Sequence, residues 1–194
     1  MIYLFLADGF EEIETIGTID ILRRCGLQVQ TLSVTGKRVV VSARGVVVKA
    51  DSLFRKNHLL HCDALVLPGG LKGAEMMNKN TVLHQALLTQ ARKGVLVAAI
   101  CAAPMVLSTA GLLIGKHVTI YPGMQHHLEG AIYHSDAYVV EHDNILTGAG
   151  PAATRLFACT IARHFVADAT IVDRVENDML FEGYDASVNR LLKF

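Results

Sequence analysis

Cys101 is the residue whose neighbours could support nucleophilic chemistry. It stands in Ala99-Ile100-Cys101-Ala102-Ala103-Pro104 and closes the most apolar stretch of the chain, Val95–Ile100. Small residues two before and two after a nucleophile suit a sharp strand-to-helix elbow, where bulkier ones would clash. Pro104 suits the first position of the following helix, because its missing N–H costs nothing there. The sulfur would then lie at a helix N-terminus, whose dipole favours a thiolate by up to ~2 kcal/mol, about 1.5 pKa units. From an ordinary ~8.5, this predicts a thiol titrating near ~7. The N–H of Ala102 would be available to a developing oxyanion. The competing reading of Cys101 is a small buried hydrophobe.

A proton-handling partner is available in Glu14. In a helix over 11–25, Glu14 shares a face with Gly17, Thr18, Ile21 and Cys25, whereas Glu11, Glu12, Arg23 and Arg24 fall mostly elsewhere. That stripe faces the core, where an unpaired carboxylate is costly and burial raises the carboxyl pKa. A neutral Glu14 could donate a hydrogen bond to a thiolate and shuttle protons. The alternative is a solvent-facing first-turn carboxylate stabilised by the helix dipole.

Short apolar runs alternating with helical stretches must position these two groups. Strands are expected at Ile2–Leu6, Val29–Val34, Arg38–Val41, Val46–Lys49, Ala64–Leu67, Val95–Ile100, His117–Ile120, Tyr138–Glu141 and Asn144–Thr147. Helices are expected at about 11–25, 80–92, 104–110, 151–166 and 168–180. Ala64–Leu67 and Val95–Ile100 are apolar on both faces, as in a buried parallel sheet. The alternation predicts an α/β sandwich with helices on both faces of a mostly parallel sheet, and residues 37–49 form an antiparallel ribbon beside it. Each of the four prolines (Pro68, Pro104, Pro122 and Pro151) follows an expected strand, along the edge where open parallel sheets bind ligands.

Composition removes several classes of function. The 194 residues carry 18 Lys+Arg and 18 Asp+Glu, so net charge is zero, and 52% are hydrophobic. Such a balance disfavours nucleic acid or an anionic membrane as the main partner. The apolar runs are too short to span a bilayer, and the first six residues read as a strand and not a signal peptide. Cys25, Cys62, Cys101 and Cys159 form no Cys-x-x-Cys pair, which excludes zinc-ribbon and thioredoxin-like motifs. They read as reduced cytoplasmic thiols. Glu141-His142-Asp143 reads as a solvated hairpin tip, and no histidine has a persuasive metal spacing. No Walker or dinucleotide glycine signature occurs, so no cofactor is implied.

Four blocks together resemble the ThiJ/PfpI family, specifically the group of the parkinsonism-associated protein deglycase, within the class I glutamine-amidotransferase-like superfamily. They are Leu6-Ala7-Asp8-Gly9-Phe10-Glu11-Glu12-Ile13-Glu14-Thr15, Asp63–Gly70, Ala98–Pro104 and Leu146–Pro151. The resemblance spans about residues 1–175 and implies a flavodoxin-like fold and a homodimer. The whole chain, 1–194, then reads as one domain with a C-terminal extension at about 180–194. In that extension Leu191, Leu192 and Phe194 would cap the fold or a dimer contact.

By the same resemblance, Cys101 matches the family's reactive cysteine and Glu14 the acid that hydrogen-bonds it. Gly70 and Ala102 match positions whose N–H groups face the substrate oxygen. Arg44 matches an arginine that approaches the partner subunit's site. Tyr121 stands where many members carry histidine; a phenol with pKa ~10 is a poor base at neutral pH but can orient substrate. His126 and His127 follow, and read as surface helix residues that would have to swing in to replace it.

The resulting expectation is a cofactor-independent deglycase or glyoxalase acting on methylglyoxal or its early protein adducts. One alternative is a redox-responsive stress protein or chaperone whose cysteine is oxidised to sulfinate. Another is a hydrolase or lyase on an unknown small metabolite. Ala102, where peptidase members carry histidine, argues against peptidase activity. His127-Leu128-Glu129 lies too close to Cys101 to be a glutamine-amidotransferase pair.

Overall fold

A computed structural model describes residues 1–55, 59, 61–181 and 191–194. The chain runs β1 (Ile2–Leu6), α1 (Glu12–Arg24), β2 (Val29–Ser33), the ribbon β3 (Val39–Val41) and β4 (Val47–Lys49), then β5 (Ser52–Leu53) and β6 (Ala64–Leu67). Next come α2 (Leu71–Asn78), α3 (Thr81–Ala91), β7 (Leu96–Ile100) and α4 (Pro104–Thr109). The remainder is β8 (His117–Val118), β9 (Ile132–Tyr133), β10 (Val139–His142), β11 (Ile145–Gly148), α5 (Thr154–Arg163), α6 (Thr170–Asp178) and β12 (Leu191–Lys193).

Eight strands form the main sheet in the order β12-β10-β11-β7-β6-β1-β2-β5. From β5 to β11 all neighbours are parallel, and only the β10–β11 pair is antiparallel. Every residue of β1, β6 and β7 is buried, as expected of strands covered on both faces. Helices α1, α5 and α6 pack with one another, and α2, α3 and α4 form a second group, giving the expected flavodoxin-like sandwich. Strand order reverses between β1 and β6. The crevice beyond the carboxyl ends of strands at such a reversal is where open α/β sheets bind ligands.

The sequence reading missed several pieces, each for a local reason. Helix α2 has no counterpart among the expected helices because glycines surround its start. A Cβ on its Gly73 would press closely on the Phe10 nitrogen, at 3.1 Å. The expected helix at 151–166 begins as a 3-10 turn, Pro151–Ala153, and becomes α5 only at Thr154. The strand expected at 117–120 ends at Val118, because the Thr119 N–H donates to the Thr147 hydroxyl (2.9 Å). Glu141 is no solvated tip: it is buried, with its carboxylate 3.1 Å from both His164 and Lys193.

The C-terminal residues cap the sheet edge. β12 pairs in parallel with β10, and the Phe194 N–H donates to the Glu141 carbonyl (2.8 Å). The Phe194 ring stacks on His117 with centroids 3.7 Å apart. Most of the expected extension, 182–190, lies outside the described residues. Among the described residues, no helix is long and apolar enough to cross a membrane.

Candidate active site

Cys101 follows the last residue of β7 with φ 63°, a left-handed conformation that a non-glycine residue adopts only when its surroundings hold it there. Two backbone bonds do so: the Cys101 N–H donates to the Gly148 carbonyl (2.8 Å), and its carbonyl accepts from the Tyr121 N–H (2.9 Å). Pro104 occupies the first turn of α4, as expected. The strained elbow aims the sulfur into the crevice while leaving the residue only 8% exposed.

Glu14 lies opposite and is completely buried. The Gly69 N–H donates to its Oε2 (2.8 Å). A Cβ on Gly69 would fall 2.5 Å from both the Cys101 Cβ and Glu14 Oε2, so Gly69 is the bare backbone that lets carboxyl and thiol approach. Burial pushes the Glu14 carboxyl up to about 7, partly offset by hydrogen bonding with Cys101 and Gly69 and reinforced by the nearby Glu11 charge. Oε1 is buried without a hydrogen-bond partner among the described residues, and the carboxyl as a whole interacts with the Cys101 thiol.

The expectation of a thiol near 7 does not survive. Burial, then the Glu14 charge and hydrogen bond, push the Cys101 thiol up to about 12, while the N–H groups of Gly70 and Ala102 pull the other way. The helix dipole loses because α4 has only six residues and starts three positions beyond the sulfur. Moving the thiol proton onto Glu14 leaves the pair's total charge unchanged, and the thiolate so formed meets both amides. Thiolate formation is therefore a transfer within the pair, not a loss of a proton to solvent.

Gly70, like Ala102, presents its N–H to the sulfur, and its φ of 87° places it where no side chain fits: a Cβ would lie 2.2 Å from the Gly9 carbonyl oxygen. A cleft of about 540 Å³ opens over the sulfur and is bordered by Arg44, Gly70, Ala102, Tyr121 and Pro151 among others. Tyr121 is 46% exposed, and its ring packs on Gly150, where a Cβ would lie 3.2 Å from Cδ2. Arg44 lines the cleft of its own chain, and its N–H donates to Glu12 Oε1 (2.6 Å). The His126 and His127 rings lie against each other, tilted by 39°, in an exposed 3-10 turn and do not border the cleft. They supply no substitute histidine in this arrangement.

Two contributors escaped the sequence reading. Gly148 anchors the elbow through its carbonyl. Glu11 caps α1, a role that the usual preference for Ser, Thr, Asp or Asn does not suggest for a glutamate. Among the described residues no cluster of His, Cys, Asp or Glu could hold a metal ion.

A strained cysteine after a central strand, faced by a buried glutamate, belongs to a fold with known relatives. The model of the DJ-1/PfpI family matches residues 1–164. The chain belongs to the DJ-1/PfpI family. Protein dj-1beta of Drosophila melanogaster is 38% identical over 160 residues, covering 82% of this chain and 86% of that protein. Its crystal structure superimposes with a TM-score of 0.87 at 35% identity, covering 92% of this chain and 96% of that one. The Caenorhabditis elegans relative named glutathione-independent glyoxalase DJR-1.2 is 32% identical over 151 residues, 78% of this chain and 80% of its own length. Toxoplasma gondii DJ-1, solved in a form described as oxidized, aligns with a TM-score of 0.84 at 32% identity over 92% of this chain and 97% of that one. Among DJ-1/PfpI features that the sequence suggested, the cysteine, the glutamate and the two amides meet at one point; the tyrosine and arginine border the cleft above them.

Proposed function

We propose that this DJ-1/PfpI protein is a cysteine-dependent glyoxalase or deglycase acting on methylglyoxal or its early protein adducts, without a cofactor. The observation that carries the reading is the buried Cys101–Glu14 pair at the floor of an open cleft, with two amides facing the sulfur. Cys101 adds to the aldehyde carbon as its proton passes to Glu14. The resulting oxyanion takes the Gly70 and Ala102 N–H bonds that the sulfur releases. Glu14 then protonates that oxygen and carries the former aldehyde proton to the neighbouring carbon, leaving a lactoyl thioester. Water cleaves the thioester, so methylglyoxal and water give lactate and the free thiol. One carbon is oxidised and its neighbour reduced, and no external electron acceptor is consumed. Tyr121 and Arg44 orient the substrate from the rim. The name of the glyoxalase relative supports this class.

The test is lactate formation from methylglyoxal by the purified protein and by Cys101→Ala. No lactate from the native protein, or an unchanged rate in the variant, overturns the proposal.

A second reading has its own support: the Glu14 carboxyl, with one oxygen left unpartnered, and the two amides meet the sulfur as groups that would hold sulfinate oxygens. The oxidized Toxoplasma relative favours it as well. Mild peroxide would then add two oxygens at Cys101 alone, read by intact and peptide mass. Oxidation spread over all four cysteines counts against it.

The working form in this proposal is a cytoplasmic homodimer. Ile13 and Ile16 on α1 and Val39, Val41, Val46 and Val47 on the ribbon are exposed apolar side chains whose burial a second copy would supply. A monomeric mass by light scattering at micromolar concentration refutes this part.

A further inference from the structure

Glu11 sits three residues before Glu14 at the border of the cleft, and the reaction scheme gives it no task. Three hydrogen bonds join it to the site in a closed ring. The Glu11 N–H donates to the Gly69 carbonyl (3.0 Å). The Gly69 N–H donates to Glu14 Oε2 (2.8 Å), and the Glu14 N–H donates to Glu11 Oε2 (2.8 Å). One residue thus fixes the start of α1, the β6–α2 loop that carries Gly70, and the rotamer of the buried carboxyl between them. Gly70 presses on the same point, since a Cβ there would lie 2.7 Å from the Glu11 nitrogen.

We propose that Glu11 is a positioning residue for Glu14, holding its carboxyl against Cys101 through this ring of hydrogen bonds. The inference rests on Glu14 being the group that handles protons at Cys101. An ordinary helix cap would be served as well or better by Ser, Asp or Asn; a glutamate adds a carboxylate that faces both the cleft and Glu14. Other ionisable groups near the pair are few. The β7–α4 turn brings Cys101, and the β6–α2 loop brings only backbone amide groups. The ribbon side brings Arg44 to the cleft, the residues after β8 bring Tyr121, and α5 meets α1 through Thr154 at Gly17, with its Arg155 paired to Glu176. Glu11 is therefore the carboxylate placed to oppose ionisation of Glu14.

The test compares native protein with Glu11→Gln, which keeps a capping oxygen and removes the charge. The protonated Glu14 carbonyl is followed by infrared difference spectroscopy against pH and assigned with Glu14→Gln. The Glu14 midpoint should fall by roughly half a pH unit or more in Glu11→Gln, as expected when a like charge is removed beside a carboxyl. Cys101 alkylation by iodoacetamide should shift its pH profile in the same direction. An unmoved midpoint overturns the proposal and leaves Glu11 a helix cap. If Glu11→Gln does not fold, Glu11→Ser, with an uncharged capping oxygen, is read in the same way. Lactate formation is measured separately. A shifted midpoint in a protein that makes no lactate sustains the role of Glu11 and removes the glyoxalase reading; lactate with an unmoved midpoint does the reverse.

Discussion

Replacing Glu14 with glutamine should make the protein more stable at neutral pH while disabling the site. The carboxyl is fully buried, and burial lifts it from an ordinary 4.5 to about 7. Between these values the unfolded chain has released the Glu14 proton and the folded chain retains it. The folded state therefore binds more protons, and stability falls as pH rises through the window. At ~1.4 kcal/mol per pH unit, the loss reaches roughly 3 kcal/mol by pH 7.5. Glutamine keeps the shape and an oxygen for the Gly69 N–H but does not titrate. Any hydrogen-bond gain or loss it brings is independent of pH, so the slope isolates the burial cost. Urea unfolding of native protein and Glu14→Gln at intervals from pH 4.5 to 7.5 reads the effect. The advantage of the variant should grow by roughly 3 kcal/mol across the range, which for a chain of this size is a relative gain of roughly 6–12 °C in Tm. Parallel curves for the two proteins would refute the reasoning, because they would mean that Glu14 ionises as readily folded as unfolded.

Other outcomes follow from the same geometry. Gly69→Ala puts a Cβ 2.5 Å from both Cys101 Cβ and Glu14 Oε2, and should cost on the order of 2 kcal/mol in urea unfolding and slow Cys101 alkylation at least tenfold. Tyr121→His, which introduces the histidine that the family resemblance implies at this position, should raise lactate formation from methylglyoxal, and Tyr121→Phe should raise KM more than it lowers kcat; equal rates in all three proteins would leave Tyr121 no role in the chemistry. At the sheet edge, the His117 N–H donates to His142 Nδ1 (3.1 Å), a bond that requires the ring nitrogen to be unprotonated. Burial, with Lys116 and His117 nearby, lowers the His142 pKa, so the folded state resists protonation and its stability is lost as pH falls below the ordinary histidine range. Protection of the Leu192–Phe194 amides, taken relative to the intrinsic exchange rate at each pH, should fall below about pH 6 while that of β1 is kept, and His142→Gln should flatten that dependence; an equal change in protection across the sheet would argue against local release.

The sheet was legible in the sequence because its central strands are buried on both faces. Ala64–Leu67 and Val95–Ile100 admit no polar side chain, and β6 and β7 follow these stretches almost residue for residue. The short edge strands were not legible: β5 has two residues and β9 has two, too few for a period to register. β12 takes its partner from β10, some fifty residues earlier in the chain. No local pattern encodes such a pairing.

At the site, residue types and small-residue spacing determined that Cys101 ends a strand and that Glu14 lies on the inward stripe of its helix. The family blocks extended this to Gly70 and Ala102. Tertiary structure decided how strongly these groups are perturbed. Burial is a property of everything packed around a side chain; it reversed the expected acidity of Cys101 and weakened that of Glu14, in the direction its inward stripe predicted, to a pKa of about 7. The closeness of carboxyl and thiol depends on Gly69, from a third segment, having no side chain to hold them apart. Helix spacing could aim Glu14 inward, but only the packed molecule could bring it to the sulfur.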